Sequence, residues 1–418
     1  MCRCIHKTSK LGLFSSVGSR FKNDAARWHY LQIKRYFYFS LIAGFLLYSC
    51  SETKQGELPE IPVDIAQNTV SKLQLSEIAE SIIAIDLELT DESPLNPKPI
   101  SMKRIIVSED MVFIAQPRAI FVFNMSGKFI RTIGSRGQGP GEYIYIRDFA
   151  FDKKNRRLFV NTEAKIICYD LEGNFIMESP MANLEFDTRI IDVNYVNNEL
   201  LLITQHNILE EGKGVNFTIL YRMNDKLQIT DSITVRKTND SPILSFSSTE
   251  DYILYLDSTV YLYYPYAVAP TPEERSDPFS MQRKPKTVLR DTLYRLENNQ
   301  LVPELKLKFK NDGMGRDGYL FINLTYVFRS SRYIFAQYYN YLLDFDIYYP
   351  FFYFCYDTQT GKGYNTRDGF FDDFHQIEQV RIRPFHTNPE YFYYWHTHIK
   401  PDDREEPNPT LYIGKLKK

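Results

Sequence analysis

IFVFNMSGKFIRTI (residues 120–133) and KIICYDLEGNFIMES (165–179) share one pattern. Each has a short apolar strand, an aromatic residue followed by Asn124 or Asp170, a tight turn closed by Gly, and a second strand opening on Phe-Ile. The Asn/Asp-x-x-Gly stretch is hairpin chemistry, because Gly supplies a positive φ where the chain reverses. FYFCYDTQTGKGYNT (352–366) repeats it around Asp357. Weaker copies are ILYRMNDKLQIT (219–230) and TLYRLENNQLVPEL (292–305), and TLYIGKLKK (410–418) supplies a final strand. A pattern that recurs at this spacing is the mark of a repeat architecture.

Outward from these hairpins the texture is the same. Short runs such as RIIV, MVFIA, RLFV, LLLIT and YIFAQYY alternate with turn residues. They are too short for helices and rich in β-branched and aromatic side chains, so they read as strands. Strands are not alternated with helical segments, which excludes a parallel α/β sheet. About six units of roughly 55 residues each fit the span 75–418, somewhat longer than a usual four-stranded propeller blade. The expectation is an all-β, six-bladed β-propeller of four-stranded antiparallel blades. The stretch 263–287 is the obvious insertion, and IAESIIAIDLEL (78–89) is placed to close the ring as the outer strand of the last blade.

The N-terminus reads as an address. Lys34 and Arg35 precede an apolar run, Tyr36–Tyr48, that is shorter than the ~20 residues a spanning helix needs. It ends in Leu47-Tyr48-Ser49-Cys50, which resembles a bacterial lipobox and implies that Cys50 is acylated. Residues 1–49 are then leader and signal peptide, and 50–74 a lipidated Cys and polar tether. This sets an outer-membrane lipoprotein of the cell envelope, with the membrane as partner through the lipid. Cys168 and Cys355 remain in the mature part and read as buried apolar thiols, with no disulfide framework. The net charge of −2 gives no reason to expect nucleic acid as a partner.

GSRGQGPGEY (134–143) follows the first hairpin directly. Through Gly134, Arg136, Gly137, Gln138, Gly139, Pro140, Gly141, Glu142 and Tyr143 the chain resembles the six-bladed β-propeller lipoproteins of Bacteroidota-type bacteria, relatives of the NHL propellers. RDTLYRL (290–296) and NPTLYIGKLK (408–417) support that resemblance. It implies fold and location more than chemistry.

Candidate chemistry is sparse. The Gly-rich loop has no Gly-Lys-Ser/Thr ending and is no P-loop. Arg136, Gln138 and the exposed backbone N–H groups there are candidate ligand contacts, against the plainer reading of a sharp inter-blade turn with Glu142 and Tyr143 bonded locally. His396 and His398 share one face of a strand. A third ligand from His375, His386, Asp372 or Asp373 would complete a metal site, but no established metal spacing is present, so no metal or other cofactor is expected. Asp373, His396 and His398 stand as candidate ligand-binding residues. The aromatic excess (31 Tyr, 30 Phe) either packs the blades face to face or lines a surface for a glycan, peptide or envelope protein. The expectation is a binding or scaffold propeller, with a lyase or hydrolase acting on glycan or peptide at the central channel as the alternative.

Overall fold

The computed structural model describes residues 58–98, 104–162, 165–180, 189–210, 213–238, 252–264, 291–310, 322–340, 351–398 and 406–418. Cys50, the leader and most of the 263–287 insertion lie outside the described residues. Six small sheets form a six-bladed β-propeller, as expected.

The blades follow the chain. From the axis outward, the first comprises Arg104–Ser108, Met111–Gln116, Ala119–Asn124 and Phe129–Ile133. The second comprises Ile146–Asp152, Arg157–Thr162, Lys165–Asp170 and Phe175–Pro180, and the third Arg189–Val196, Glu199–Glu210, Lys213–Met223 and Ile229–Thr238. The fourth holds Ile253–Leu256, Thr259–Leu262, Thr292–Glu297 and Gln300–Phe309, and the fifth Ile322–Arg329, Tyr333–Asn340, Phe351–Asp357 and Lys362–Arg367. In the sixth, Arg383–Phe385, Asn388–His396 and Thr410–Leu416 take Ala79–Asp86 as the outer strand. The ring therefore closes by pairing the start of the propeller with its end, Ile83 opposite Ile413. Closure removes the exposed edge that an open ring would leave.

The repeated hairpin motif falls at one structural position. Asn124, Asp170 and Asp357 each end a third strand, and Asn224 directly follows one. The Oδ1 of each accepts a backbone N–H of the following turn: Lys128 at 2.9 Å, Asn174 at 2.7 Å, Gln228 at 3.0 Å and Gln359 at 2.9 Å. The short Asn or Asp side chain satisfies turn donors that the sheet cannot reach.

The core is a series of interfaces between blades rather than one interior. Phe113, Ile120 and Val122 of the first blade meet Phe149, Leu158 and Ile167 of the second. The second and third blades share another cluster around Phe159 and Tyr195, whose rings stack at 5.3 Å. Most of the aromatic excess that the structure describes is spent this way. Phe328 stacks on Phe335 at 4.5 Å, and Tyr338 on Phe352 at 5.5 Å. The buried Tyr338 hydroxyl donates to Asn365 Oδ1 at 2.6 Å, so ring burial leaves no orphan donor there. Cys168 and Cys355 are free and buried, and burial pushes the Cys168 thiol up to about 11.

The tether expectation for 50–74 fails over residues 60–74. Glu60–Val63 adds a fifth, parallel strand to the rim of the fourth blade, and Thr69–Val70 does the same for the fifth. Between them Asp64 caps the short helix Ile65–Asn68, its Oδ1 accepting from the N–H groups of Ala66 and Gln67. Gln74 bridges to Phe371, and Leu75–Ile78 leads into the sixth blade. Ile61, Val63, Leu73 and Leu75 are buried, so the strap is held by apolar burial and covers two sheet edges. Pro62 is tolerated because it sits in a rim strand, where its missing N–H breaks no ladder.

Candidate functional site

In a meandering blade, the turns joining strands one to two and three to four emerge on one face of the ring. The connections joining strands two to three, and each blade to the next, emerge on the other. On the first face the turns contain at most five residues. Glu109-Asp110, Asn197-Asn198, Asp257-Ser258 and Asn298-Asn299 have two consecutive positive φ values, as the tightest hairpins require. Apart from the strap, every longer connection joins strand ends on the opposite face, here the loop face. Arg136, Gln138, Asp373, His396 and His398 all belong to that face.

They are not brought together. Arg136 and Gln138 are exposed in the connection between the first and second blades, whereas the histidines belong to the sixth blade and the connection before it. The Gly-rich loop is internally bonded. Glu142 Oε2 accepts the Gly139 N–H at 2.8 Å, and Glu178 Oε2 accepts that of Gly141 at 2.9 Å. Lys165 Nζ ties Glu178 (2.7 Å) to the Gly139 carbonyl (2.8 Å). Two buried tyrosines finish the turn, Tyr143 donating to the Ile133 carbonyl and Tyr169 to that of Gly141. The chain's own carboxylates thus occupy N–H groups that an anion would need.

The histidines fall into a denser cluster at the interface of the fifth and sixth blades. A hairpin, Phe370–Asp372 with Ile377–Val380, lies in the connection between these blades. Asp372 is wholly buried at its bend. Its Oδ1 accepts the N–H groups of Phe374 (3.0 Å) and His375 (3.3 Å). Its Oδ2 lies 2.8 Å from His375 Nδ1 and also accepts the Tyr394 hydroxyl. A carboxylate only accepts, so Nδ1 carries the hydrogen, and in the neutral imidazole the lone pair lies on Nε2. His375 is 30% exposed, and Nε2 has no partner among the described residues.

Tyr394 and Tyr412 are cross-strand partners, and their rings stack at 4.8 Å and 2°. His375 meets the Tyr412 ring edge-on at 4.9 Å, and His398 Nε2 lies 2.8 Å from its hydroxyl. His396 packs against His398 at 4.7 Å. Burial, then the Asp372 carboxylate, raises the Tyr394 phenol beyond its ordinary range. Burial, then the neighbouring His398, lowers the His396 imidazole. Burial alone would raise the Asp373 carboxyl, but hydrogen bonding to Ser76, whose N–H lies 2.9 Å away, outweighs it and holds the group below its usual value. Asp373 therefore anchors the strap. Among the described residues no three His, Cys, Asp or Glu side chains are grouped to hold a metal.

Two further features escaped the sequence reading. Arg104 reaches from the innermost strand of the first blade to those of the second and third. It contacts Asp148 at 3.2 Å and Asp192 at 2.7 Å and donates to the Phe149 carbonyl at 2.9 Å. Asp148 in turn accepts the Val193 N–H, and Asp192 the N–H groups of Tyr252 and Ile253. Each aspartate follows a β-bulge, at Arg147 and at Ile191, that re-aims it toward the next blade. The signal was a lone Asp inside an apolar strand, in RDFAFD and IIDVNYV. His386, wholly buried in the turn after Arg383–Phe385, has neither ring nitrogen bonded among the described residues. The second feature is a groove of about 660 Å³ between the third and fourth blades, with apolar walls at Ile233, Val235 and Leu262 and polar groups at Arg236, Tyr264 and Asp291.

These features define a six-bladed propeller with a tight-turn face, a loop face and a charge-linked axis. The chain belongs to the family described as a domain of unknown function, DUF4934, whose model matches residues 58–416. Among solved structures it is similar to a protein of Bacteroides fragilis described as a candidate exported protein. That match has 17% identity over 86% of this chain and 100% of that one, with a TM-score of 0.59. It is also similar to the WD40 domain of Neurospora crassa Pan2 (10%, 76% of each chain, TM-score 0.37). A third is the extracellular domain of a candidate hybrid two-component system of B. thetaiotaomicron (12%, 76% of this chain and 34% of that one, TM-score 0.37). The first shares the fold, and the other two are too distant to carry argument. No curated protein matches the chain.

Proposed function

We propose that this protein is a cell-envelope propeller, lipid-anchored at Cys50, that holds a glycan, peptide or envelope-protein partner on its loop face. The observation that carries this reading is the asymmetry of the two faces. One is finished with tight turns, whereas, apart from the strap, every long connection leaves from the other. Loops on a rigid ring can vary without cost to the fold, and that is where binding residues accumulate. The short apolar run ending in Cys50 supports an envelope address, and the description of the similar Bacteroides fragilis protein as exported agrees with it. The axis offers less to a partner, because Arg104, Asp148 and Asp192 are engaged in joining blades.

Two measurements test this reading. The full chain and its Cys50→Ala variant are expressed in a bacterium fed a clickable fatty acid, and the membrane fraction is examined. The wild type is expected to carry the label and to sediment with membranes, and the variant to lose both. A label that survives the substitution refutes the anchor. Cross-linking from single photoreactive residues on each face then maps the partner. Adducts confined to the turn face, at Asn197 or Asn298, refute the loop-face assignment.

A further inference from the structure

We infer that His375 and His398, both packed against Tyr412, form a two-imidazole proton-transfer site that cleaves a uronate-bearing glycan by β-elimination. The inference rests on the loop-face reading and adds a reaction to it.

The geometry separates two roles. His375 is fixed through Nδ1 by Asp372, which is itself saturated by two backbone N–H groups and the Tyr394 hydroxyl. A buried carboxylate behind an imidazole fixes its tautomer, so in the neutral ring Nε2 is the nitrogen that can accept a proton. His398 is exposed and bonded through Nε2 to the Tyr412 hydroxyl. With Nε2–H donating to that oxygen, the imidazolium presents Nδ1–H to a bound ligand. Both imidazoles pack on the Tyr412 ring, at 4.9 and 6.4 Å between centroids, and the inferred reaction requires one saccharide unit to span them.

The surroundings select the substrate class. Asp372 is buried, Asp373 is bonded to Ser76, and Asp86 accepts the Thr410 hydroxyl at 2.7 Å. Among the described residues no carboxylate pair faces across a gap, as hydrolysis of a glycosidic bond by carboxylates requires. The exposed groups include imidazoles, His396 among them, which can donate to an anionic sugar. Phe374, next to the base, is 45% exposed and offers a flat apolar face to a sugar ring.

The step balances within the site. Nε2 of His375 takes the proton from the carbon bearing the uronate carboxyl. The electron pair of that C–H bond forms the new carbon–carbon double bond. The glycosidic C–O bond on the adjacent carbon breaks with its pair, and the leaving oxygen takes the Nδ1 proton of His398. Solvent restores both imidazoles.

The test uses the full chain in detergent with four probes: galacturonan, glucuronan, mannuronan and guluronan. Cleavage is read as the absorbance of the conjugated unsaturated uronate, and binding as co-sedimentation with the same polymer. One of the four is expected to be bound and cleaved with a bell-shaped pH profile, since one imidazole must be neutral and the other protonated. His375→Ala and His398→Ala are expected to lose about 100-fold or more in rate while still binding. Asp372→Asn should lower kcat with little change in KM and displace the acidic limb of the profile toward lower pH, the mark of a positioning residue. Thermal melts of each variant separate lost chemistry from lost fold. Cleavage that survives His375→Ala overturns the inference. So does a probe bound but not cleaved, which leaves the binding reading standing. Four probes neither bound nor cleaved also overturn it, and the loop-face reading is then decided by the cross-linking above.

Discussion

Leu227 of the third blade stands where Gly173 stands in the second, and both hold a left-handed backbone, at φ +59 and +90. The two hairpins are otherwise alike. Asn224 Oδ1 accepts the Gln228 N–H at 3.0 Å as Asp170 Oδ1 accepts that of Asn174 at 2.7 Å. A leucine pays roughly 1–2 kcal/mol for that conformation. The Leu227 side chain is buried between the second and third blades, and such burial contributes about 1.5–3 kcal/mol.

Burial outweighs strain, so Leu227→Gly is expected to destabilise the propeller, by about 1 kcal/mol in urea unfolding once relief of strain is subtracted. An unchanged or raised midpoint would show that the turn, not the core contact, dominates there.

This pair also explains what the sequence disclosed. The hairpin signature was legible because four Asn/Asp residues cap the same turn, and three of the four turns close with a positive-φ Gly. Closure of the ring by 78–89 was legible from its alternating strand pattern. The strap over 60–74 was not, because its polar composition matches that of a linker and its two pairings are with residues some 240 or more positions away. Asp372 and His375 were both visible as residues. What could not be read was that a hairpin places them against Tyr394 and Tyr412, since that contact depends on how two blades pack. The ring of contacts from Arg104 was hidden for the same reason.

The strap predicts a dependence of the propeller on residues that precede its first full blade. Val63 is 1% exposed and Leu75 fully buried. Val63→Asp places an unpaired carboxylate against the fourth blade and removes an apolar contact. A loss of about 3 kcal/mol or more in unfolding free energy is expected. A truncation beginning at Gln74 uncovers two sheet edges and should aggregate more readily than one beginning at Leu58, measured by light scattering on gentle heating. Equal behaviour of the two truncations would show the strap to be decoration.

Removing the guanidinium of Arg104 leaves two buried aspartates facing each other's blades without compensation. Arg104→Met is expected to cost about 3–5 kcal/mol. Adding Asp192→Asn in the same chain should restore part of that loss, because the stranded charge is then gone. A double variant no more stable than the single would assign the cost to lost packing.

Acid stability follows from His386 and Asp357. Burial, with Arg104 nearby, depresses the His386 pKa well below 6.5. A base whose folded pKa is depressed binds fewer protons folded than unfolded. Its contribution is therefore full above pH 6.5 and lost as pH falls below that value. The salt-bridged hydrogen bond from Arg332 holds Asp357 at about 2 against an ordinary 3.8, so its contribution is present above pH 3.8 and lost between there and pH 2. Urea midpoints should accordingly be flat from pH 8 to 7, decline below about 6.5, and fall further below about 4. His386→Leu, of similar volume and without nitrogens to satisfy, should make the first decline shallower, leaving the part due to His396, and leave the second unchanged. Arg332→Gln should make the second decline shallower and leave the first, the remainder coming from other lowered carboxylates such as Asp373. If His386→Leu reproduces the wild-type curve throughout, protonation of another group causes the first decline.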